Sequence, residues 1–235
     1  MIEAELKGKI PEIDGWEDIL TSSVFGILKY RPLWPILARF VGAARCYSDA
    51  DATFGDVLKI ISQEGCHIHF WHHTTEYGEP DIILETADAA VVIEVKFMAG
   101  LSGQDQLAKY LRLLDSQFAD KSQRHVVYLT RNLSRPDLGE AVVNELDGRL
   151  WWLSWYDLAD CLRSGEVVDP FRTQLVEDLT RLLDHRRLRL FQCFTDPSNQ
   201  STAVLNYFWD GTVPLMGIYP SSVPSTHLFW KEEFL

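Results

Sequence analysis

The chain has 235 residues, of which 46% are hydrophobic and 12% aromatic, enough to fill the core of one large domain rather than a long disordered chain. No apolar run of about 18 residues and no signal-peptide pattern occurs, and four scattered cysteines lack a CxxC pair, so we expect a cytoplasmic protein without membrane contact. The net charge of −12 counts against a free nucleic-acid binder with a basic surface, and no GxxxxGK[ST] loop indicates an ATP site.

The first half of the chain changes from a helical to a strand period. Apolar spacing predicts a helix from Asp14 to Tyr30, and further helix over residues 32–60, broken by Pro32 and Pro35. Three strands are then predicted at 66–73, 79–86 and 89–97, the last two joined by a tight turn at Ala87-Asp88. These strands form a predicted antiparallel meander.

The second half alternates between the two periods. A loop at 100–103, a helix at 104–115, strands at 125–130 and 150–155, a helix containing Leu158 and Leu162, and a helix at about 171–186 are predicted. The inward side of the last helix is predicted to carry Phe171, Leu175, Leu179, Leu182 and Leu183. We therefore expect an α/β fold in α-β-β-β-α-β order, a central mixed sheet flanked by helices, over residues 1–188. Residues 189–235 are expected to be an aromatic-rich extension packed on the same domain.

The third strand of the meander, AAVVIEVKF, is apolar except for Glu94 and Lys96. Such a run normally lies inside a sheet, where an unpaired charge costs several kcal/mol, roughly. Glu94 and Lys96 are two residues apart and so share one face, while the turn folds Asp81 back beside the end of this strand. Two carboxylates and a lysine suit phosphodiester hydrolysis with Mg²⁺, or Mn²⁺ in its place, because hard oxygen ligands hold the ion and the lysine stabilises negative charge.

These residues resemble the PD-(D/E)XK nuclease superfamily, which includes type II restriction enzymes, recombination exonucleases and junction resolvases. Pro80-Asp81, the 13-residue step to Glu94, and Glu94-Val95-Lys96 carry the resemblance. It extends over roughly residues 14–160, through an upstream helix with a glutamate and a downstream helix with glutamine and an aromatic, QDQLAKY at 104–110. The resemblance implies a restriction-endonuclease-like core.

The resemblance also implies roles for individual residues. Metal ligation would fall to Asp81, Glu94 and the Val95 carbonyl, with Glu17 near the metal, Lys96 as the water-orienting base and Gln106 as a further catalytic residue. Simpler interpretations stay open: a structural ion pair for Glu94 and Lys96, a turn residue for Asp81, a helix cap formed by Asp14 and Glu17, a solvated helix position for Gln106, and a core position for Tyr110.

Two basic clusters lie outside this motif. His67 and His69 precede Asp81 and are candidate nucleic-acid contacts, as are Arg186 and Arg187 in the run HRRLR, which also fits a solvated helix end. A zinc site in the histidine-rich segment, where His67, His69 and His73 would share a strand face, is a weaker alternative.

The leading hypothesis is a divalent-metal nuclease that cleaves DNA, in phage defence, restriction or DNA repair. An RNA-directed nuclease is a second hypothesis. A third is a nuclease-like subunit that mainly assembles with a protein partner or with itself, which the acidic charge and an aromatic tail favour; that tail contains Tyr207, Phe208, Trp209, Phe229 and Trp230.

Overall fold

The computed structural model describes residues 16–55, 61, 64–97, 105–163 and 170–188. These residues all lie in one unit that spans residues 1–190. The predicted loop at 100–103 and the predicted extension at 189–235 lie outside the described residues. Among the residues described, no helix is long and apolar enough to cross a membrane.

The helices and strands follow the predicted order closely. The helices are α1 Trp16–Leu28, a short 3-10 helix Arg31–Leu33, α2 Trp34–Gly42, α3 Gln106–Gln117, α4 Glu140–Glu145, α5 Trp155–Arg163 and α6 Pro170–His185. The strands are β1 Arg45–Cys46, β2 His67–Phe70, β3 Ile82–Glu85, β4 Ala89–Lys96, β5 Gln123–Thr130 and β6 Leu150–Ser154.

The strands form one six-stranded mixed sheet in the order β1-β6-β5-β4-β3-β2. Strands β2, β3 and β4 make the predicted antiparallel meander, and β4, β5 and β6 run parallel to one another. The parallel pairs need crossovers, which contain α3 and α4. The predicted α/β fold, with a mixed sheet flanked by helices, is confirmed.

Both faces of the sheet are covered, which explains why β4 is apolar throughout most of its length. Val91 and Ile93 pack into a core formed with α1, α2, α5 and α6, whereas Ala90 and Val92 pack against α3. Every residue of β4 from 89 to 95 is buried. A strand covered on both sides has no solvent-facing positions, so the burial of Glu94 requires specific partners.

The prediction of helix over residues 32–60 is wrong in part. The helix ends at Gly42, and Arg45–Cys46 forms a short edge strand that pairs with β6. The break at the two prolines is as predicted: Pro32 and Pro35 lie in the first turns of two separate helices, where the missing N–H is not needed.

Two further differences concern the helices of the second half. Phe171 was expected to face inward but is 60% exposed, since it lies in the first turn of α6, where the helix extends past the core. Helix α4 was not predicted. Its six residues include no buried position, so no hydrophobic period marks it.

Candidate active site

The register of the β3–β4 hairpin brings Asp81 to Glu94. Ile82 pairs with Ile93, so the next positions outward are Asp81 and Glu94. The backbone N–H of Val95 donates to Asp81 Oδ2 at 2.7 Å. The hairpin is closed by a tight turn in which the N–H of residue 86 bonds to the carbonyl of residue 89 at 2.8 Å. The predicted fold-back of Asp81 beside the end of β4 is therefore confirmed.

Glu94 is only 1% exposed, and its two carboxylate oxygens have different surroundings. Oε1 accepts hydrogen bonds from Lys96 Nζ and from Gln106 Nε2, each at 2.7 Å. Oε2 is buried and has no donor among the residues that the structure describes. An unpaired buried carboxylate oxygen is costly, so this atom calls for a proton or a cation.

Lys96 contacts three oxygen atoms from three residues. Its ammonium Nζ lies 2.7 Å from Glu94 Oε1, 3.0 Å from the Val95 carbonyl and 3.1 Å from Glu17 Oε1. The side chain is 13% exposed. An ammonium group has three protons to donate, and three acceptors lie within hydrogen-bonding distance here.

Glu17 reaches the end of β4 from helix α1. Its Oε1 accepts from Lys96, and its Oε2 accepts from the backbone N–H of Phe97 at 2.7 Å. Both carboxylate oxygens of Glu17 therefore accept hydrogen bonds at the end of β4. These contacts favour a position in the candidate site over the alternative in which Glu17 caps its own helix. Asp14, the proposed cap residue, lies outside the described residues.

Gln106 and Tyr110 connect Glu94 to the start of β3. Gln106 Nε2 donates to Glu94 and, at 3.0 Å, to the Tyr110 hydroxyl, which itself donates to the Glu79 carbonyl at 3.2 Å. Tyr110 is 4% exposed, so it is a core residue and a support of the site at once. The four-residue step from Gln106 to Tyr110 is one helical turn, a spacing in the sequence that could have indicated this pair.

The electrostatics follow from burial and like charge. Burial raises the pKa of Glu94 to about 7, and the negative charge of Asp81 adds to the effect. Burial likewise raises the pKa of Asp81, although the Val95 N–H and the charge of Lys96 oppose this. Burial disfavours the charged ammonium of Lys96, but the attraction of Glu94 and Glu17 outweighs it and raises the pKa of Lys96.

The site carries more negative than positive charge. The carboxylates of Glu17 and Glu94 contact the ammonium of Lys96. The negative charge of Asp81 disfavours ionisation of Glu94, and that of Glu17 disfavours ionisation of Asp81. Within the described residues, no group of three or more His, Cys, Asp or Glu side chains is arranged to hold a metal ion. Instead, Glu17 Oε1 and Glu94 Oε1 both lie within 3.1 Å of Lys96 Nζ.

His67 and His69 lie on edge strand β2, two strands away from Glu94. His67 Nδ1 lies 3.2 Å from His69 Nε2, which lies 2.9 Å from Glu85 Oε2. His73 follows the end of β2 and pairs with Glu79 at 3.3 Å, so the three histidines do not share one strand face as expected. Nucleic-acid contact by His67 and His69 stays a prediction.

The two arginines after α6 differ in exposure. Arg186 is 8% exposed, whereas Arg187 is exposed and has a positive φ of 57°. The structure does not bring either of them into contact with Asp81, Glu94 or Lys96 through any described hydrogen bond. Their contact with nucleic acid stays a prediction, with Arg187 the more accessible of the two.

Comparisons of the chain with protein-family models, with curated proteins and with solved structures found no match. The evidence for a function therefore lies in Asp81, Glu94 and Lys96 and in the atoms that they contact. Those contacts place an acidic, buried oxygen cluster with one ammonium at the end of two neighbouring strands.

Proposed function

We propose that this protein is a divalent-metal-dependent nuclease of the PD-(D/E)XK type that hydrolyses phosphodiester bonds in DNA. One observation carries the proposal: Asp81, Glu94, Glu17 and Lys96 converge at the end of β4, and Glu94 Oε2 is buried without a donor among the described residues. A solvated surface pair would leave no such oxygen. The proposal includes a restriction-endonuclease-like core for the α/β fold.

The residues present fit a divalent cation of the Mg²⁺ class. Asp81, Glu94 and the Val95 carbonyl would hold it, with Glu17 beside them, and all of these donors are the hard oxygen atoms that Mg²⁺ and Mn²⁺ prefer. The excess of carboxylates over ammonium groups and the raised pKa of Glu94 fit as well, since a bound cation relieves repulsion between ionised carboxylates. When bound, such an ion supplies an activated water and neutralises charge on the phosphate.

The protein's own residues would do the remaining work. The Lys96 ammonium donates hydrogen bonds, and in a nuclease it would orient the attacking water and stabilise negative charge on the phosphate oxygens. Gln106 holds Glu94 in place through Oε1, and Tyr110 ties Gln106 to the Glu79 carbonyl just before Asp81. This chain of contacts would keep the two carboxylates at a fixed separation.

DNA is preferred over RNA as the substrate because of the resemblance in the motif spacing, which is an argument by analogy. Phage defence, restriction or DNA repair in the cytoplasm is the proposed context. The net charge of −12 implies that affinity for nucleic acid comes from the bound metal or from a basic protein partner.

The test is cleavage by the purified chain. Supercoiled plasmid, single-stranded DNA and RNA are incubated with Mg²⁺, with Mn²⁺ or with EDTA, and Glu94→Gln is run beside the wild type. A matched control is Asp115→Asn, which removes a carboxylate that accepts hydrogen bonds from Arg124 and Arg149. Arg124 lies at the start of β5, whereas Glu94 lies near the end of the parallel strand β4. Metal-dependent DNA cleavage by the wild type and Asp115→Asn, but not by Glu94→Gln, is expected. Preferential cleavage of RNA would show that RNA, not DNA, is the substrate. Equal activity of Glu94→Gln and the wild type would show that Glu94 is not part of the active site.

A further inference from the structure

A cavity of about 380 Å³ lies where β5 and β6 begin, at the opposite edge of the sheet from the end of β4. Cavities of roughly 300–1,000 Å³ are the usual size for small-molecule binding. Among the lining residues that the structure describes there is no Asp or Glu. The lining combines basic and aromatic side chains, which include Phe54, Arg124, His125, Arg149 and Trp151.

Arg124 and Arg149 bring a net positive charge to this cavity. Arg124 Nε lies 2.8 Å from Asp115 Oδ1, and Arg149 Nη1 lies 2.8 Å from the same oxygen and 3.1 Å from Oδ2. One carboxylate offsets one of the two guanidinium charges, so one positive charge remains. The Arg149 side chain is 34% exposed, and no described residue accepts a hydrogen bond from its Nε or Nη2. These donors are available to an anion.

His125 adds a third donor to the lining. The Trp151 indole Nε1–H donates to His125 Nδ1 at 3.2 Å, so the neutral imidazole carries its proton on Nε2. Burial, and then the positive charge of Arg149, lower the pKa of His125 to about 4, so the ring is neutral near pH 7. No described residue accepts from Nε2. The same charge that disfavours a cation here favours an anion in the cavity.

Phe54 and Trp151 form the apolar part of the lining. Their ring centroids lie 4.7 Å apart in an edge-to-face arrangement, and the His125 ring lies 5.1 Å from Phe54 and 5.8 Å from Trp151. Aromatic rings packed in this way hold one another in place. The apolar wall is therefore formed before any ligand binds, next to the donors of the two arginines.

We propose that this cavity binds a small phosphate ester of the mononucleotide class. A phosphate group presents three acceptor oxygens, and donors from Arg124, Arg149 and His125 Nε2 match that number, whereas a carboxylate presents only two. The organic part of the ligand lies against Phe54 and Trp151. The proposal is independent of nuclease activity, because the cavity and the candidate active site share no described residue.

The test is titration calorimetry of the full chain with deoxyadenosine monophosphate (dAMP), in EDTA so that no divalent metal occupies the candidate active site. The wild type should bind dAMP with a Kd below about 1 mM, and adenosine, inorganic phosphate and benzoate at least about tenfold more weakly. Arg149→Gln should weaken dAMP binding by about tenfold or more. The matched control is Arg112→Gln, which removes the same charge from the pair with Glu145 and should stay within about twofold of the wild type.

Failure of dAMP to bind, or unchanged binding by Arg149→Gln, overturns the proposal. Equal binding of adenosine, inorganic phosphate or benzoate overturns it too, since the cavity would then not recognise a phosphate ester. If Arg149→Gln does not fold, the wild type decides by its ¹⁵N–¹H spectra. The His125 Nε2 and Trp151 indole signals should shift with dAMP, whereas the indole signal of Trp34, which donates to the Lys29 carbonyl, should not. Unmoved His125 and Trp151 signals would place any binding outside this cavity.

Discussion

Asp81 accepts a hydrogen bond from the Val95 backbone N–H at 2.7 Å, and this bond fixes one carboxylate beside the strand that carries the other. Burial raises the pKa of Asp81 because the charged form loses hydration. Asparagine can accept the same bond without a charge. Without metal, the protein should therefore be as stable or more stable when this charge is removed.

Asp81→Asn is accordingly expected to melt at the same temperature as the wild type in EDTA or about 2–6 °C higher, equivalent to roughly 1–2 kcal/mol. Mn²⁺ should raise the melting temperature of the wild type by mass action and that of the variant much less. Asp115→Asn is the control and should instead lower the melting temperature. Burial opposes the charge of Asp115, but hydrogen bonds from Arg124 and Arg149 outweigh it and lower the pKa of this carboxyl group. A destabilised Asp81→Asn with a metal-indifferent wild type would support a structural ion pair instead.

The stability of the protein in EDTA should depend on the protonation of Glu94. Its pKa rises from an ordinary 4.5 to about 7 on folding, so between these values the folded protein holds a proton that the unfolded chain releases. Unfolding therefore becomes easier as the pH rises through this window, by on the order of 1–3 kcal/mol. Urea melts at pH 5, 6, 7 and 8 should show the wild type losing stability relative to Glu94→Gln. A difference between the two proteins that does not change with pH would contradict the raised pKa.

Catalysis should require each member of the motif. Asp81→Ala, Glu94→Ala and Lys96→Ala are each expected to lower metal-dependent cleavage by at least a hundredfold, the first two through loss of a ligand and the third through loss of the water-orienting cation. Circular dichroism should show that the fold persists. Near wild-type activity of Lys96→Ala would disprove the assignment.

Much of this motif could be predicted because it is local in sequence. An apolar strand with charges two residues apart, and a turn midway between Asp81 and Glu94, specify a shared face and a register without any distant contact. The helices and strands with a clear apolar period were found for the same reason. In each case, residues close together in the sequence determine the structure.

The remaining features depend on contacts between distant residues. Glu17 lies 79 positions from Lys96, and its two oxygens could not be assigned from helix spacing alone. Strand β1 has only two residues and exists because it pairs with β6. The position of the Lys96 ammonium among three acceptors depends on side-chain packing, for which the sequence carries no period.

Gln106 and Tyr110 should act as a unit. Gln106→Ala frees Glu94 Oε1 from one of its two donors, so cleavage should fall about tenfold or more with a modest loss of stability. Tyr110→Phe removes the hydroxyl that holds Gln106 and should give a smaller effect in the same direction. Because both act through one chain of bonds, the double variant should lose less than the sum of the two. Additive losses would show that the residues act independently.

Nucleic-acid binding by the isolated chain should be weak. With a net charge of −12, we expect a Kd for duplex DNA no better than about 10⁻⁴–10⁻⁶ M at physiological salt, the range of nonspecific binding. Ca²⁺, as a non-catalytic ion, or a basic protein partner should tighten it. Fluorescence anisotropy in EDTA and in Ca²⁺ measures this, and nanomolar affinity in EDTA would contradict it.

The hairpin turn between β3 and β4 has a consequence for how the chain can change length. Hairpin tips usually accept insertions, yet here one extra residue paired into either strand would turn Asp81 to the opposite face of the sheet from Glu94. Two extra residues would restore the face but move the carboxylates apart by about 7 Å. The segment from Thr86 to Ala89 thus works as a fixed spacer, and a surface turn with no chemistry of its own sets the dimensions of the site.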